Sequence, residues 1–149
     1  MVFTSHMTLA LEEARAAARA GEVPVGAVVI GPDGAVLARA RNRMRELCDP
    51  TAHAEMLAIR AACAALGSER LAGCDLYVTL EPCTACAGAI SAARIARLYY
   101  GAADPKSGGV AQGPRVFDHA QAHHKPEVYG GIAERAASEL LRDFFAARR

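Results

Sequence analysis

The amino-acid sequence predicts a three-layer α/β domain in which helices cover both faces of a central five-stranded mixed sheet. Three observations lead to this prediction. A chain of 149 residues suits one domain with a single core, here residues 1–149. Residues 23–30 form a continuous apolar run rich in β-branched side chains, which is typical of a strand covered on both faces. Helical and extended patterns then alternate along the rest of the chain.

The first elements are a helix and a β-hairpin. Residues 7–20 place their apolar side chains on one helical face, and Gly21 ends that helix. The strand at 23–30 runs into the turn 31–34, where a proline fixes φ and a glycine permits the reversal. Residues 35–41 then return as the second strand.

Two strand–helix units follow a polar connection at residues 42–50. A helix is expected from about 51 to 66, with a glycine as its C-cap. Residues 75–80 form a third strand that Pro82 closes, and 83–93 form a short helix rich in alanine and glycine.

The final third contains the least regular part of the chain. A fourth strand at 95–100 precedes residues 101–125, which hold four glycines and two prolines. Connections of that length are usually functional or mobile. A short fifth strand at 127–129 and a helix with an apolar stripe over 133–145 complete the prediction.

Composition limits the functional classes. The formal charge is +1, so overall electrostatics do not favour a nucleic-acid partner, although local basic clusters still can. No apolar run reaches the ~20 residues of a membrane-spanning helix, and no secretory signal is recognisable, so a cytoplasmic protein without membrane partner is expected. Five cysteines, an odd number, do not suit a disulfide framework.

Two short motifs predict a zinc site. His53 offers an imidazole, and Cys83 and Cys86 offer two thiols at helical i and i+3 spacing, which places them on one face. Thiolates and imidazole are zinc ligands, and three protein ligands leave one position open for water, as in catalytic sites. Two other interpretations remain: a closed structural site completed by Cys74, His119, His123 or His124, and a Cys-x-x-Cys redox pair.

Glu55 is the expected catalytic residue. Two thiolates and a neutral imidazole bring the charge of the zinc site near zero, so the ion acidifies its water weakly and a nearby base is needed. Glu55 lies two residues after His53, where its side chain can border the pocket without sharing the ion. The alternative is a first-turn acid that only stabilises the helix dipole.

These motifs resemble the signature of the cytidine deaminase superfamily, His-x-Glu followed by Pro-Cys-x-x-Cys. The stretches 22–28, 42–43, 49–55, 76–83 and 144–145 further resemble the bacterial tRNA-specific adenosine deaminases, the TadA family, and the similarity covers about residues 9–149. The resemblance implies a cytidine-deaminase-like fold and a homodimer with one zinc ion per subunit. It implies hydrolytic deamination of the wobble adenosine of a tRNA anticodon to inosine: zinc-activated hydroxide attacks adenine C6, and Glu55 shuttles the protons.

The resemblance also implies the residues that bind the anticodon stem-loop. Asn42 is expected to hydrogen-bond the nucleoside, and the backbone around three residues lines its pocket: Ala54, Leu80 and Glu81. The expected contacts to the anticodon loop are Asp104, Lys106, Phe144, Phe145 and Arg149. The residues alone give weaker support, because phenylalanines at helical spacing are usually core, whereas aromatic and basic side chains together also suit single-stranded RNA.

Two departures from the family pattern concern substrate selection. Ala85 stands between the ligand cysteines where many members have methionine, and it is expected to alter packing beneath the site. His123 stands where many members have asparagine, so the sequence does not show how the base that flanks the target adenosine is recognised. Two alternative functions are therefore kept: a zinc-dependent deaminase of a free base or nucleoside, of guanine or cytosine type, and a non-catalytic zinc protein.

Overall fold

Five strands form one mixed sheet in the computed structural model, which describes residues 5–148, so the expected contact residue Arg149 lies outside the described residues. The strands are β1 (Gly26–Ile30), β2 (Val36–Arg41), β3 (Asp75–Leu80), β4 (Arg97–Ala102) and β5 (Glu127–Tyr129). Their order in the sheet is β2-β1-β3-β4-β5. β1 is antiparallel to β2 and β3, whereas β3, β4 and β5 are parallel, so the mixed sheet is confirmed.

Helices cover both faces of this sheet. They are α1 (Met7–Arg19), α2 (Met44–Leu47), α3 (Ala54–Leu66), α4 (Thr84–Ala93) and α5 (Glu134–Ala146). One apolar cluster joins α1 and α5 to the sheet through Met7, Tyr77 and Ala137, and a larger one joins α3 and α4 through Ala58, Ile90 and their neighbours. The predicted three-layer arrangement is therefore confirmed.

Two boundaries beside the site differ from the predictions. β1 begins at Gly26 rather than at residue 23, because Pro24 has no N–H and the carbonyl of Val23 accepts a hydrogen bond from the Asn42 side chain (3.2 Å). α3 begins at Ala54, since Asp49 and Thr51 form a local turn in which the Thr51 N–H donates to Asp49 Oδ1 (2.8 Å).

The polar connection at 42–50 also contains a helix that the sequence pattern did not predict. α2 is a single turn, too short for a periodic signal. It is stabilised from outside: the buried carboxylate of Glu22 accepts hydrogen bonds from the N–H groups of Arg45 (3.1 Å) and Glu46 (2.8 Å).

Candidate metal centre and substrate cavity

Two helix starts carry the predicted metal ligands. His53 is the N-cap residue of α3 and Cys83 the N-cap residue of α4, and both have extended backbone conformations. In neither case does the side chain cap the helix, so the imidazole and the thiol are turned away from it and into the space between the two helix starts. Cys86 follows one turn into α4 and is fully buried. Both helix starts lie beside the carboxyl end of β3, since Leu80, His53 and Cys83 line one cavity.

The three side chains converge. The Sγ atom of Cys83 lies 3.6 Å from His53 Nδ1, and that of Cys86 lies 3.4 Å from the same nitrogen. One ligand atom from each of the three residues lies within 4.8 Å of the others. This is the spacing of donor atoms around a shared cation, and it identifies Nδ1 as the donor atom of His53.

The three side chains of this cluster change one another's pKa values. A hydrogen bond from Cys86, and a second from His53, lower the pKa of Cys83 to about 3. The Cys83 sulfur raises the pKa of Cys86, and its hydrogen bond also raises the pKa of His53. These two hydrogen bonds therefore favour the thiolate form of Cys83. A bound cation would favour the thiolate form of both cysteines.

These donors fit zinc. Two sulfurs and one imidazole nitrogen are borderline-soft ligands, and with three protein ligands the fourth tetrahedral position remains for water or substrate. None of the four residues considered for a closed site joins the cluster in the described part of the chain. Two of them are held elsewhere, because ring nitrogens of His119 and His124 are within 2.8 and 2.9 Å of the carbonyl oxygens of Pro114 and Ile95.

Glu55 lies beside the metal centre with its side chain buried, only 4% exposed. Burial raises the pKa of its carboxyl to about 7, although the neighbouring His53 acts in the opposite direction. A carboxyl group with this pKa can both take up and release a proton near neutral pH. Its burial disfavours the alternative of a solvated first-turn acid.

Asn42 connects the cavity wall to the start of α3. Its Oδ1 accepts a hydrogen bond from the N–H of Ala54 (2.8 Å), and its Nδ2 donates to the carbonyl of Val23 (3.2 Å). The amide therefore holds the helix start that carries His53. It still lines the cavity, where one N–H of the amide group remains for a substrate. Ala54 itself is fully buried, and its N–H is occupied by Asn42.

A cavity of about 170 Å³ lies against Glu55, His53 and Cys83. The expected pocket residues Leu80 and Glu81 are among its lining residues, together with Val23, Met44 and Ser107, which the sequence interpretation missed. No short motif marks these three residues. Val23, however, lies within the stretch 22–28 that resembles the family, and Met44 directly follows the stretch 42–43, which was the available signal.

This cavity adjoins a larger groove of about 720 Å³. The two share four wall residues: Val23, Leu80, Asp104 and Ser107. Lys106, Phe145 and Arg148 line the groove, so cavity and groove together extend from Glu55 to the C-terminal helix. Asp104 also organises this wall, since its Oδ1 accepts hydrogen bonds from the N–H groups of Lys106 (3.2 Å) and Ser107 (3.0 Å).

The two phenylalanines of α5 have different environments. Phe145 is 48% exposed and lines the groove, whereas Phe144 is only 8% exposed. The guanidinium of Arg148 lies 3.4 Å from the centroid of the Phe144 ring and covers it. Phe145 and Arg148 thus form the accessible surface of this helix end, and Phe144 supports them from below.

Neither departure from the family pattern lies at the cavity. Ala85 is exposed on α4 and lines neither the cavity nor the groove, so the expectation that it alters packing beneath the site was wrong. His123 lines a separate cavity of about 290 Å³ beside α4, together with Gly88 and Ser91.

Comparisons with known proteins agree with this geometry. Residues 3–102 match the family model described as the cytidine and deoxycytidylate deaminase zinc-binding region. The chain is 60% identical over 146 residues to a tRNA-specific adenosine deaminase of Agrobacterium fabrum, covering 98% of this chain and 95% of that protein. A tRNA-specific adenosine deaminase of Bacillus subtilis is 42% identical, with 97% and 89% covered.

Solved structures share the fold. One, from a study of A-to-I editing by tRNA:A34 deaminases at the wobble position of transfer RNA, has 61% identity and a TM-score of 0.89, covering 91% of this chain and 97% of that chain. A guanine deaminase from Nitrosomonas europaea has 26% identity and a TM-score of 0.81, covering 98% and 87%.

Proposed function

The chain belongs to the tRNA-specific adenosine deaminases within the cytidine and deoxycytidylate deaminase family, and we propose that it converts the wobble adenosine of a tRNA anticodon to inosine. The observation that carries this proposal is the path from the buried Glu55 to the exposed Phe145. The inner cavity suits a single flipped base, and the groove offers an ammonium, an aromatic ring and a guanidinium to the rest of an RNA loop.

His53, Cys83 and Cys86 hold the zinc ion in this proposal. When bound, zinc supplies a Lewis acid that lowers the pKa of water. The overall reaction adds the oxygen of one water molecule to C6 of adenosine and releases ammonia, which gives inosine.

Glu55 moves the protons of this reaction. Its carboxylate takes a proton from the water, delivers one to N1 of the adenine ring, and then assists the departure of ammonia from C6. Its burial supports this role, because a carboxyl whose pKa is raised toward neutrality is matched to both uptake and release. Asn42 orients the nucleoside with its remaining amide N–H, while its other bonds keep the start of α3 in place.

The RNA-binding surface consists of the groove walls. Asp104 and Lys106 contact the anticodon loop from one side, and Phe145 contacts it from α5 by stacking on an unpaired base. The position of Phe144 favours an indirect role, in which its ring supports Arg148. The role expected of Arg149 is retained from the family resemblance alone.

Two further properties are inferred from the family: the active form is a homodimer with one zinc site per subunit, and it acts in the cytoplasm, where tRNA is modified. In the part of the chain that the structure describes, no helix has the length and apolarity needed to cross a bilayer.

The test is incubation of the zinc-loaded protein with an anticodon stem-loop that bears adenosine at the wobble position, beside free guanine, cytosine and adenosine. We expect inosine in the RNA and no turnover of the free compounds. Glu55→Gln is the matched control, because it preserves the metal ligands and the shape of the cavity. Turnover of a free base alone would establish the alternative, a free-base deaminase of the kind that shares this fold.

A further inference from the structure

Glu81 is a buried acid that the reaction does not use. It directly follows β3, and its side chain is only 2% exposed. Its carboxylate is turned toward residues 104–112, here called the 104–112 loop. It accepts hydrogen bonds from four backbone N–H groups, those of Asp104 (3.1 Å), Val110 (3.2 Å), Ala111 (2.8 Å) and Gln112 (3.2 Å). The two ends of the loop are therefore joined through one side chain.

Two glycines allow the loop to approach this closely. A Cβ atom added to Gly108 would lie 2.6 Å from the Glu81 carboxylate, and one added to Gly109 would lie 2.7 Å from the backbone nitrogen of Thr84. Both distances are shorter than real Cβ contacts allow, so larger residues would displace the loop. The N–H of Gly109 also donates to the carbonyl of Pro82 (2.8 Å), and Gly108 pairs with Cys83.

The loop forms one wall of the substrate path. Asp104 and Ser107 line both the inner cavity and the groove, and Lys106 lines the groove. Asp104 is the first point at which Glu81 holds the backbone, and Lys106 and Ser107 lie between it and the second point at residues 110–112. Their positions relative to Glu55 therefore depend on the Glu81 carboxylate.

We propose that Glu81 is a positioning residue, which fixes the 104–112 loop so that Asp104, Lys106 and Ser107 face the RNA substrate. This inference rests on the proposed function for its substrate. It assigns the Glu81 side chain a task that differs from the pocket-lining backbone contact expected from the sequence.

The first experiment measures amide hydrogen exchange in the zinc-loaded protein without RNA. Glu81→Gln keeps the shape of the side chain but replaces one acceptor oxygen by an NH₂ group, so the amides of the loop should exchange faster. Gly108→Ala should have the same effect while leaving Glu81 intact, and it carries the test if Glu81→Gln does not fold. Unchanged exchange of the loop amides in these variants would overturn the proposal.

The second experiment is a double-mutant cycle on the stem-loop substrate. We expect Glu81→Gln to raise KM more than it lowers kcat, with zinc content unchanged. If Glu81 acts through Lys106, the combined effect of Glu81→Gln and Lys106→Ala on KM should be about 2- to 100-fold smaller than the product of the single effects. If the effects of the two substitutions on KM simply multiply, Glu81 has only a structural role and the proposal is refuted. The proposal is also refuted if the loop amides of Glu81→Gln exchange faster but its KM is unchanged.

Glu22 provides the matched control. It is equally buried and also accepts backbone N–H bonds, but from α2 on the other side of the cavity. Glu22→Gln should accelerate exchange in α2 and not in the 104–112 loop, and its effect on KM should multiply with that of Lys106→Ala. The exchange measurement needs no RNA, so a protein that failed to deaminate the stem-loop would refute the proposed function without deciding whether Glu81 holds the loop.

Discussion

Replacement of Asn42 by alanine tests how the structure holds His53 beside the two cysteines. The change leaves the Ala54 N–H without its acceptor, and the Val23 carbonyl keeps only one of its two donors, the N–H of Val25 (2.8 Å). Ala54 is fully buried, so its unpaired N–H should cost about 1–3 kcal/mol. Val23 is half-buried, and water can compensate part of its loss. Together we expect Asn42→Ala to lower the free energy of unfolding by about 2–4 kcal/mol.

Chemical unfolding of the zinc-loaded protein measures this difference. For a chain of this size, the same loss corresponds to a decrease in Tm of about 5–15 °C. The midpoint should fall while the denaturant slope m stays constant, because the surface exposed on unfolding is the same. Asn42→Asp is the informative second variant: it keeps an acceptor for Ala54 but turns a buried carboxylate oxygen toward the Val23 carbonyl, so any stability it retains over Asn42→Ala is a lower limit for the bond to Ala54.

The same variant should hold zinc more weakly, because α3 presents His53 from its N-cap position. Competition with a chelator would show this as faster zinc loss than from the unaltered protein. A stability within about 0.5 kcal/mol of the unaltered protein, the usual range for inconsequential surface changes, would refute the reasoning that Asn42 holds this helix start.

Four further predictions follow from the site and the groove. Glu55→Gln should retain one zinc ion per chain by metal analysis, while kcat falls by about 10²–10⁴-fold, as expected for loss of a proton carrier; loss of zinc would instead make Glu55 structural. Cys86→Ala should lose zinc on dialysis, and full occupancy with normal turnover would refute its assignment as a ligand. Phe145→Ala should raise KM for the stem-loop by about 5- to 100-fold with kcat nearly unchanged, as loss of one stacked base predicts; an unchanged KM would remove Phe145 from the RNA surface. Light scattering at micromolar concentration should give twice the 15.6 kDa chain mass, and a monomeric mass would contradict the homodimer.

The sequence predicted the parts of the fold and site that depend on local patterns. The apolar stripe of α1 and the alternation of strands and helices are periodic signals, and the structure confirms them. The spacing of Cys83 and Cys86 on one helix turn identified two side chains that do converge with His53. Each of these features can be inferred from a short stretch of the sequence.

The parts that were missed or wrong depend on contacts between distant segments. α2 is stabilised by Glu22 from more than twenty residues away, and no local pattern shows that bond. The early start predicted for β1 failed because Val23 bonds to Asn42 instead of extending the strand. The orientation of the Glu81 carboxylate likewise becomes visible only when the 104–112 loop is folded around it.

The most direct test of the central claim identifies both the nucleoside that reacts and the source of the oxygen atom in the product. A tRNA with adenosine at the wobble position would be incubated with the zinc-loaded protein in oxygen-18 water and then digested with ribonuclease. The mass of each fragment would be measured by mass spectrometry. Hydrolytic deamination at this site predicts a single inosine, at the wobble position, that carries oxygen from the solvent. An unmodified wobble adenosine, or inosine without solvent oxygen, would contradict the account.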